Sequence, residues 1–133
     1  MSENLDLVRS IYAAWERGDY SSADWACPDI EFVIADGPSP GRWTGLAGMA
    51  EGMRGILNVW EGFRVEPDEY HEPDVDHVIV LAHPVGRGKA SGIDLGHMDI
   101  KGAQLFQVRD GKVVRLVHYY ERDRALADLG LVG

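Results

Sequence analysis

Residues 98–120 read MDIKGAQLFQVRDGKVVRLVHYY, two strand-like runs that meet at Asp110-Gly111. Glycine adopts the positive φ that a tight connection needs, so this pair predicts a β-hairpin. If residues 109–111 form a three-residue loop, Val108 faces Lys112 and the pairing of the whole hairpin follows from that register.

This register places the even-numbered residues of the hairpin on one face, the more apolar of the two. Its apolar members are Met98, Ile100, Gly102, Phe106, Val108, Val114, Leu116 and Tyr120. Gln104 and His118 are the polar side chains of the same face, where they would be diagonal neighbours. A two-residue loop would place Gln104 and His118 on opposite faces, so their pairing in one site depends on the loop length.

The 133 residues predict a single domain, residues 1–133, with a core large enough to hold a pocket. A net charge of −9 argues against a nucleic-acid partner, which needs a basic surface. The longest aliphatic run, residues 78–82, is too short to span a membrane, and the N-terminus lacks a signal peptide. We therefore expect a cytoplasmic protein without a membrane partner, and we expect its single cysteine, Cys27, in the core.

Hydrophobic periodicity places the other elements along the chain. Leu5, Val8, Tyr12 and Trp15 predict a helix over residues 2–17 that ends at Gly18. The further predicted elements are a short helix over 19–26, a strand over 29–35, a loop over 36–41, a helix over 46–60, strands over 63–69 and 75–85, and a helix over 122–129. This order predicts an α+β fold in which helices cover one face of a curved antiparallel sheet.

Gly48, Gly52 and Gly55 share one stripe of the predicted helix over residues 46–60. Each glycine in a helix interior costs about 1 kcal/mol relative to alanine. The stripe therefore predicts that another backbone approaches the helix closely.

Four short motifs resemble one family in their order and spacing: IYAAWERGD at 11–19, PDIEF at 28–32, WTG at 43–45 and RDGKVV at 109–114. The chain resembles the nuclear transport factor 2-like superfamily, and within it the SnoaL-like branch of polyketide cyclases and relatives of ketosteroid isomerase. The resemblance implies a cone-shaped, curved antiparallel sheet packed against N-terminal helices, a cystatin-like α+β barrel. It also implies an apolar pocket and, often, a homodimer through the outer sheet face.

The resemblance also assigns positions to candidate catalytic residues. In SnoaL-like cyclases a proton-transfer group lies near the end of the last strand, where this chain has His118, and a second acid or histidine one strand earlier corresponds to Gln104. In the ketosteroid isomerase branch a carboxylate base ends the first strand, and Asp36 lies two residues beyond the matching Ile34. The Asp, Arg, Asp set of the epoxide-hydrolase branch has no counterpart here, because Arg115 falls on the outer face of the hairpin.

The residue types permit proton transfer beside a carbonyl group. Neutral His118 in an apolar pocket could accept a proton at neutral pH, or it could be a hydrogen-bonded core histidine. The amide of Gln104 could donate to a carbonyl or enolate oxygen of a substrate, or it could form a structural hydrogen bond inside the sheet. Asp36 is the alternative base, although Asp36-Gly37-Pro38 is also ordinary turn chemistry.

The predicted substrate pocket has aromatic and apolar walls that suit a small apolar molecule. Its expected members are Tyr12, Trp15, Trp43, Trp60, Phe106, Leu116 and Tyr120. Aromatic side chains at helical spacing are more often part of a plain core.

Nothing in the sequence indicates a metal or a cofactor. The remaining histidines, at 71, 77, 83 and 97, show no paired ligand spacing, and there is no phosphate loop or dinucleotide fingerprint. Two hypotheses follow: a cofactor-free isomerase or cyclase acting on an apolar cyclic carbonyl compound, and a non-catalytic binding or dimerisation module of the same fold. A homodimer would use the outer face of the hairpin, where Ala103, Leu105, Val113 and Val117 are apolar.

Overall fold

The computed structural model describes residues 3–17, 24–36, 40–88, 92 and 101–128. These residues form three helices and six strands. In chain order they are α1 (Glu3–Glu16), β1 (Ala26–Ile34), β2 (Gly41–Thr44), α2 (Gly45–Val59), β3 (Trp60–Asp74), β4 (His77–Gly88), β5 (Gly102–Arg109), β6 (Lys112–Tyr119) and α3 (Arg122–Asp128).

The six strands form one sheet in the order β2-β1-β6-β5-β4-β3. The sheet curls into a half-barrel against the helices, which confirms the α+β class and the curved sheet. Its pairs are antiparallel except for β1 and β6, which run parallel. The expectation of a wholly antiparallel sheet is therefore wrong at this pair, where a strand from the start of the chain lies beside the last one.

The larger core lies on the inner, concave face of the sheet. Its fully buried members from the strands include Ile30, Phe32, Val80, Phe106 and Leu116, and α1 adds Val8, Ile11, Tyr12 and Trp15. The apolar face predicted for the first helix thus packs against the sheet. A smaller core of Ile79, Ala103, Leu105, Val117, Tyr119 and Ala125 lies on the other side, where α3 covers β5 and β6.

The β5–β6 hairpin differs from the predicted three-residue loop. Arg109 pairs with Lys112, so the turn consists of Asp110 and Gly111 alone, with φ of 54° and 76°. Positive φ at both positions is the geometry of the tightest hairpin turns. The predicted register, with Val108 facing Lys112, is therefore wrong.

A β-bulge brings Gln104 and His118 to one face despite the two-residue turn. Val108 pairs with Val113 and Gln107 pairs with Arg115, which leaves Val114 as an extra residue. Beyond this bulge the register shifts by one residue, and Gln104 lies directly opposite His118. Their predicted common face is confirmed, although for a different reason.

The two-residue turn also changes one side-chain placement on β6. Val113 packs in the inner core, in the place predicted for Val114. Ala103, Leu105 and Val117 do lie on the outer face, but a single chain already buries them. A homodimer through that face stays a prediction, and these three side chains give it less support than the sequence indicates.

Several element boundaries differ from the predicted ones. Gly41 begins β2 and Trp60 begins β3, whereas the sequence predicts a loop and a helix end there. Ala26 lies in β1, and Cys27 beside it is half-buried rather than in the core. The expectations for residues 18–23 and 93–100 lie outside the described residues. No helix in the described part of the chain is long and apolar enough to cross a membrane.

The glycine stripe of α2 faces Phe32 and Trp43. A Cβ at Gly52 would lie 2.9 Å from the rings of Phe32 and Trp43, and one at Gly48 would lie 3.4 Å from the Cβ of Trp43. Gly55 has nothing within 4 Å at the same position. The close neighbours at Gly52 are therefore aromatic rings and not the predicted backbone, whereas a Cβ at Gly48 would lie 3.6 Å from the backbone of Trp43, an ordinary contact distance.

Candidate active site

Gln104 and His118 are adjacent, buried polar side chains on the inner face of the sheet. They are 5% and 4% exposed, and Gln104 Nε2 lies 3.1 Å from His118 Nδ1. The hydroxyl of Tyr12, on α1, hydrogen-bonds to Gln104 Oε1. A chain of three polar groups thus runs from the helix to the last strand through an apolar core.

The donors and acceptors in this chain determine where the histidine proton lies. An amide oxygen only accepts, so the Tyr12 hydroxyl donates to Gln104 Oε1. The amide NH₂ only donates, so His118 Nδ1 accepts with its lone pair. A neutral imidazole with a lone pair on Nδ1 carries its proton on Nε2.

Burial keeps His118 neutral. Desolvation disfavours the imidazolium and lowers the pKa of His118 from 6.5 to about 4. Its Nε2 is buried and has no hydrogen-bond partner among the described residues. An unpaired buried donor costs about 1–3 kcal/mol, so a ligand that supplies an acceptor would recover that free energy.

Aromatic rings surround His118. The ring of Tyr120 meets its imidazole edge-on at 4.7 Å, and that of Phe63 lies 6.5 Å away. Burial raises the pKa of Tyr120, a hydrogen bond with Trp60 lowers it, and the charge of Asp36 raises it. Aromatic rings therefore form the surroundings of His118, and the carboxylate of Asp36 is bonded to the backbone of Tyr120.

Asp36 joins the end of β1 to the end of β6. Its Oδ1 accepts the N–H of Tyr120 at 2.5 Å, and Oδ2 accepts the N–H of Glu121 at 3.4 Å. Next to it, the N–H of Ala35 donates to the carbonyl of His118 at 2.9 Å. Among the described residues Asp36 is the one carboxylate in the buried class. These contacts are those expected of a structural aspartate. Asp36 also lies two residues after Ile34, the position at the end of β1 where the resemblance predicts a carboxylate base.

The predicted pocket residues fall into two groups. Tyr12, Trp15, Phe106, Leu116 and Tyr120 belong to the inner core. The ring of Trp43 instead packs on Phe32 at 5.8 Å, beside α2, and Trp60 contacts the hydroxyl of Tyr120. The structure therefore brings five of the seven residues together and places two at the margin.

Sequence reasoning missed two features of the site. The sequence predicts Phe63 in a strand but does not indicate that it lies near His118. The sequence predicts Tyr12 only as a pocket wall, whereas its hydroxyl bonds to Gln104, 92 positions away in the chain. No local pattern indicates such a distant pair, although a tyrosine on a buried helix face usually needs a hydrogen-bond partner for its hydroxyl.

The other described histidines form separate pairs on the surface. His71 lies 3.0 Å from Glu69, His77 lies 2.7 Å from Asp74, and His83 lies 2.9 Å from Asp68. Within the described ranges, no three such side chains converge as metal ligands would.

Comparison with known proteins identifies the family. The profile of the SnoaL-like domain matches residues 8–116. The chain belongs to the SnoaL-like family. A comparison with curated protein sequences finds no match.

Solved structures share the fold of this SnoaL-like chain at low sequence identity. A protein of unknown function from Burkholderia pseudomallei, described as NTF2-like, is 21% identical with a TM-score of 0.78, over 96% of this chain and 97% of the other. TerC, crystallised with polyporic acid, is 24% identical with a TM-score of 0.76, over 96% and 98%. A protein from Jannaschia described as a SnoaL-like polyketide cyclase is 16% identical with a TM-score of 0.72, over 88% and 84%.

Proposed function

We propose that this SnoaL-like chain is a cofactor-free enzyme of the isomerase or cyclase type, which moves a proton next to the carbonyl group of a small apolar cyclic substrate. The observation that carries the proposal is the buried Nε2 of His118, which has no partner among the described residues. A carbonyl oxygen placed there would accept its proton in a hydrogen bond. The apolar rings around His118 favour an apolar substrate.

His118 acts in this proposal as a neutral hydrogen-bond donor. When a base removes the proton from the carbon next to the carbonyl, negative charge develops on the carbonyl oxygen. The Nε2–H of His118 stabilises this charge inside a poorly hydrated core, where such a hydrogen bond is stronger than in water. Since the Nδ1 of His118 is already engaged by Gln104, Nε2 is the ring nitrogen that meets the substrate.

Asp36 is the proposed proton acceptor. A carboxylate has about four lone-pair sites, and the N–H groups of Tyr120 and Glu121 occupy two of them. The electron pair of the broken C–H bond forms the enolate, and the proton resides on Asp36. Return of that proton to another carbon gives an isomer, and attack of the enolate carbon on a second carbonyl gives a ring, whose alkoxide takes the proton.

Two structural neighbours are crystallised with small organic molecules, which supports a ligand-binding role for the fold. TerC is crystallised with polyporic acid, and a protein from Catenulispora acidiphila with a ketosteroid isomerase-like fold is in complex with trimethylamine. All neighbours named here are less than 25% identical to this chain, so they support the fold and not a particular substrate.

Deuterium exchange tests the proposal without knowledge of the natural substrate. We expect the protein in deuterated water to accelerate exchange of the α-protons of 1-indanone, measured by mass spectrometry. Asp36→Asn should abolish the acceleration, His118→Phe should reduce it by roughly a hundredfold to a thousandfold, and Gln104→Ala should reduce it less, because Gln104 contacts His118 and not the substrate. His71→Phe, on the exposed side of β3, is the matched control. Confirmed binding of 1-indanone without exchange would exclude this chemistry for cyclic ketones.

A non-catalytic binding protein is the second candidate. It is favoured by the hydrogen bonds of both Asp36 oxygens to backbone N–H groups, which give this carboxylate a structural role. The binding protein would hold 1-indanone with no exchange of its protons. Phe106→Ala would then weaken binding, and Asp36→Asn would change stability rather than any rate.

A further inference from the structure

We propose that Tyr12 is a positioning residue that determines ligand specificity: through Gln104 it fixes the proton of His118 on Nε2, so that the site selects ligands presenting a hydrogen-bond acceptor. The inference rests on the proposed function only in placing a ligand at His118. It gives Tyr12 a role beyond that of a pocket wall.

The amide of Gln104 can adopt two orientations of nearly equal shape and opposite hydrogen bonding. In one, its oxygen faces Tyr12 and its NH₂ faces His118. After rotation by 180°, its oxygen would face His118 and would require the proton on Nδ1. The tautomer of His118 therefore follows the orientation of this amide.

Tyr12 holds the amide in the first orientation. Its hydroxyl donates to Gln104 Oε1. The rings of Trp15, Phe106 and Tyr70 lie 5.2, 5.8 and 6.1 Å from its own ring, each at a steep angle, and fix the position of the phenol. Rotation of the amide would take this acceptor away from the Tyr12 proton, which favours the first orientation by on the order of tenfold to a hundredfold.

Burial keeps Tyr12 a donor over the whole working range of pH. Desolvation raises its pKa well above the usual value, and the neighbouring Tyr70 adds to the effect. A phenol that stays protonated always presents its proton to the amide. The proton of neutral His118 thus stays on Nε2, although none of the three hydrogen-bonded side chains, Tyr12, Gln104 and His118, is charged.

The consequence is a site that distinguishes two ligands of similar shape. 1-Indanone presents only an acceptor, its carbonyl oxygen, whereas indole presents an N–H donor. The Nε2–H of His118 donates a hydrogen bond to the carbonyl oxygen of 1-indanone. With indole it faces another N–H donor and forms no hydrogen bond. The hydrogen-bond chain therefore predicts selection for ketones over N–H heterocycles of the same size.

Nuclear magnetic resonance of the full chain with ¹⁵N-labelled histidine tests the role of Tyr12 directly. Two-bond ¹H–¹⁵N correlations distinguish the two tautomers. In the wild-type protein at neutral pH we expect a protonated Nε2 and an unprotonated Nδ1 for His118. In Tyr12→Phe the Nδ1-protonated form should become measurable, and Tyr70→Phe, which removes a neighbouring hydroxyl, should keep the wild-type pattern.

Gln104→Glu is a second variant that does not depend on the fold of Tyr12→Phe. A carboxylate only accepts, so it should draw the His118 proton to Nδ1 and reverse the preference between 1-indanone and indole. Binding is measured by isothermal titration. An Nε2-protonated His118 in Tyr12→Phe and in Gln104→Glu alike, or Nδ1 protonation in the wild type, would overturn the role of Tyr12.

The two proposals fail separately. The tautomer is measured without a ligand, so missing deuterium exchange contradicts the enzyme and leaves the role of Tyr12 intact. If His118 has the same tautomer in the wild type, in Tyr12→Phe and in Gln104→Glu, the role of Tyr12 is contradicted, whether or not deuterium exchange occurs.

Discussion

His118 couples the candidate site to the stability of the chain. Its pKa is 6.5 in an exposed state and about 4 in the folded protein, because burial disfavours the imidazolium. At pH values between these two pKa values, His118 binds more protons in the unfolded state than in the folded state, so a lower pH favours unfolding. The stabilisation is complete above pH 6.5 and is lost as the pH falls toward 4.

We predict that the free energy of unfolding decreases by up to roughly 3 kcal/mol between pH 6.5 and pH 4 because of this residue. Urea titrations at several pH values measure the decrease. His118→Phe should remove this part of the pH dependence, while His71→Phe should retain it. An unchanged slope in His118→Phe would show that other groups cause the acid sensitivity.

The low pKa of His118 also bears on the pH dependence of the proposed activity. A histidine with an ordinary pKa would give a rate that rises through neutral pH, which the sequence alone suggests for His118. In the folded protein the imidazole is neutral down to about pH 4. We therefore predict that exchange of 1-indanone protons shows no step between pH 6 and 8 that depends on His118. A step centred near pH 6.5 that disappears in His118→Phe would contradict the buried site.

At the scale of elements, α2 carries a matched pair of glycines. Gly52→Ala would push a Cβ against the rings of Phe32 and Trp43, at 2.9 Å, and should lower the free energy of unfolding by about 1–3 kcal/mol. Gly55→Ala meets open space and should raise it by about 1 kcal/mol through helix propensity. Thermal unfolding of the two variants measures both effects. Equal effects of the two substitutions would disprove the contact at Gly52.

The bulge in β6 predicts that one residue of the hairpin is dispensable. Deletion of Val114 would leave Gln107 opposite Arg115 and Gln104 opposite His118, in a regular hairpin. We expect this variant to fold with a modest loss of stability and to keep the wild-type His118 tautomer. Deletion of Val117, beyond the bulge, would turn His118 to the outer face and should abolish the site. Retention of the His118 signals in both deletions would contradict the register.

The hairpin also shows what the sequence could predict. Asp110-Gly111 locates the turn, and the alternation around it identifies the two strands. Nothing marks the bulge at Val114, since no glycine or proline lies there and the irregularity depends on neighbouring strands. The sequence does not indicate the short strand Gly41–Thr44 for a similar reason, because its pairing with β1 and not its composition makes it a strand. The sequence does predict the apolar face of α1, formed by Leu5, Val8, Tyr12 and Trp15, because the spacing that defines it lies within one short segment.

At the scale of the whole molecule, the outer face of the sheet bears on assembly. The predicted homodimer would have to use partly buried residues there, such as Leu81 and Val33, since Ala103, Leu105 and Val117 are covered within one chain. We expect light scattering at micromolar concentration to give a dimer mass that Leu81→Lys reduces to a monomer mass. Val75→Lys, in the exposed β3–β4 turn, is the control. A monomer mass for the wild-type protein would exclude the dimer.

The parallel pairing of β1 with β6 has a consequence for how the protein is made. Glu31 and Arg115, an ion pair across these strands, lie 84 positions apart, and Asp36 and Tyr120 are equally distant. Contacts of such separation slow folding, because a long loop must close before they form. During synthesis, β1 cannot pair with β6 until residues 112–119 have emerged from the ribosome. Truncated chains that end before β6 should therefore expose Ile30 and Phe32 and bind chaperones.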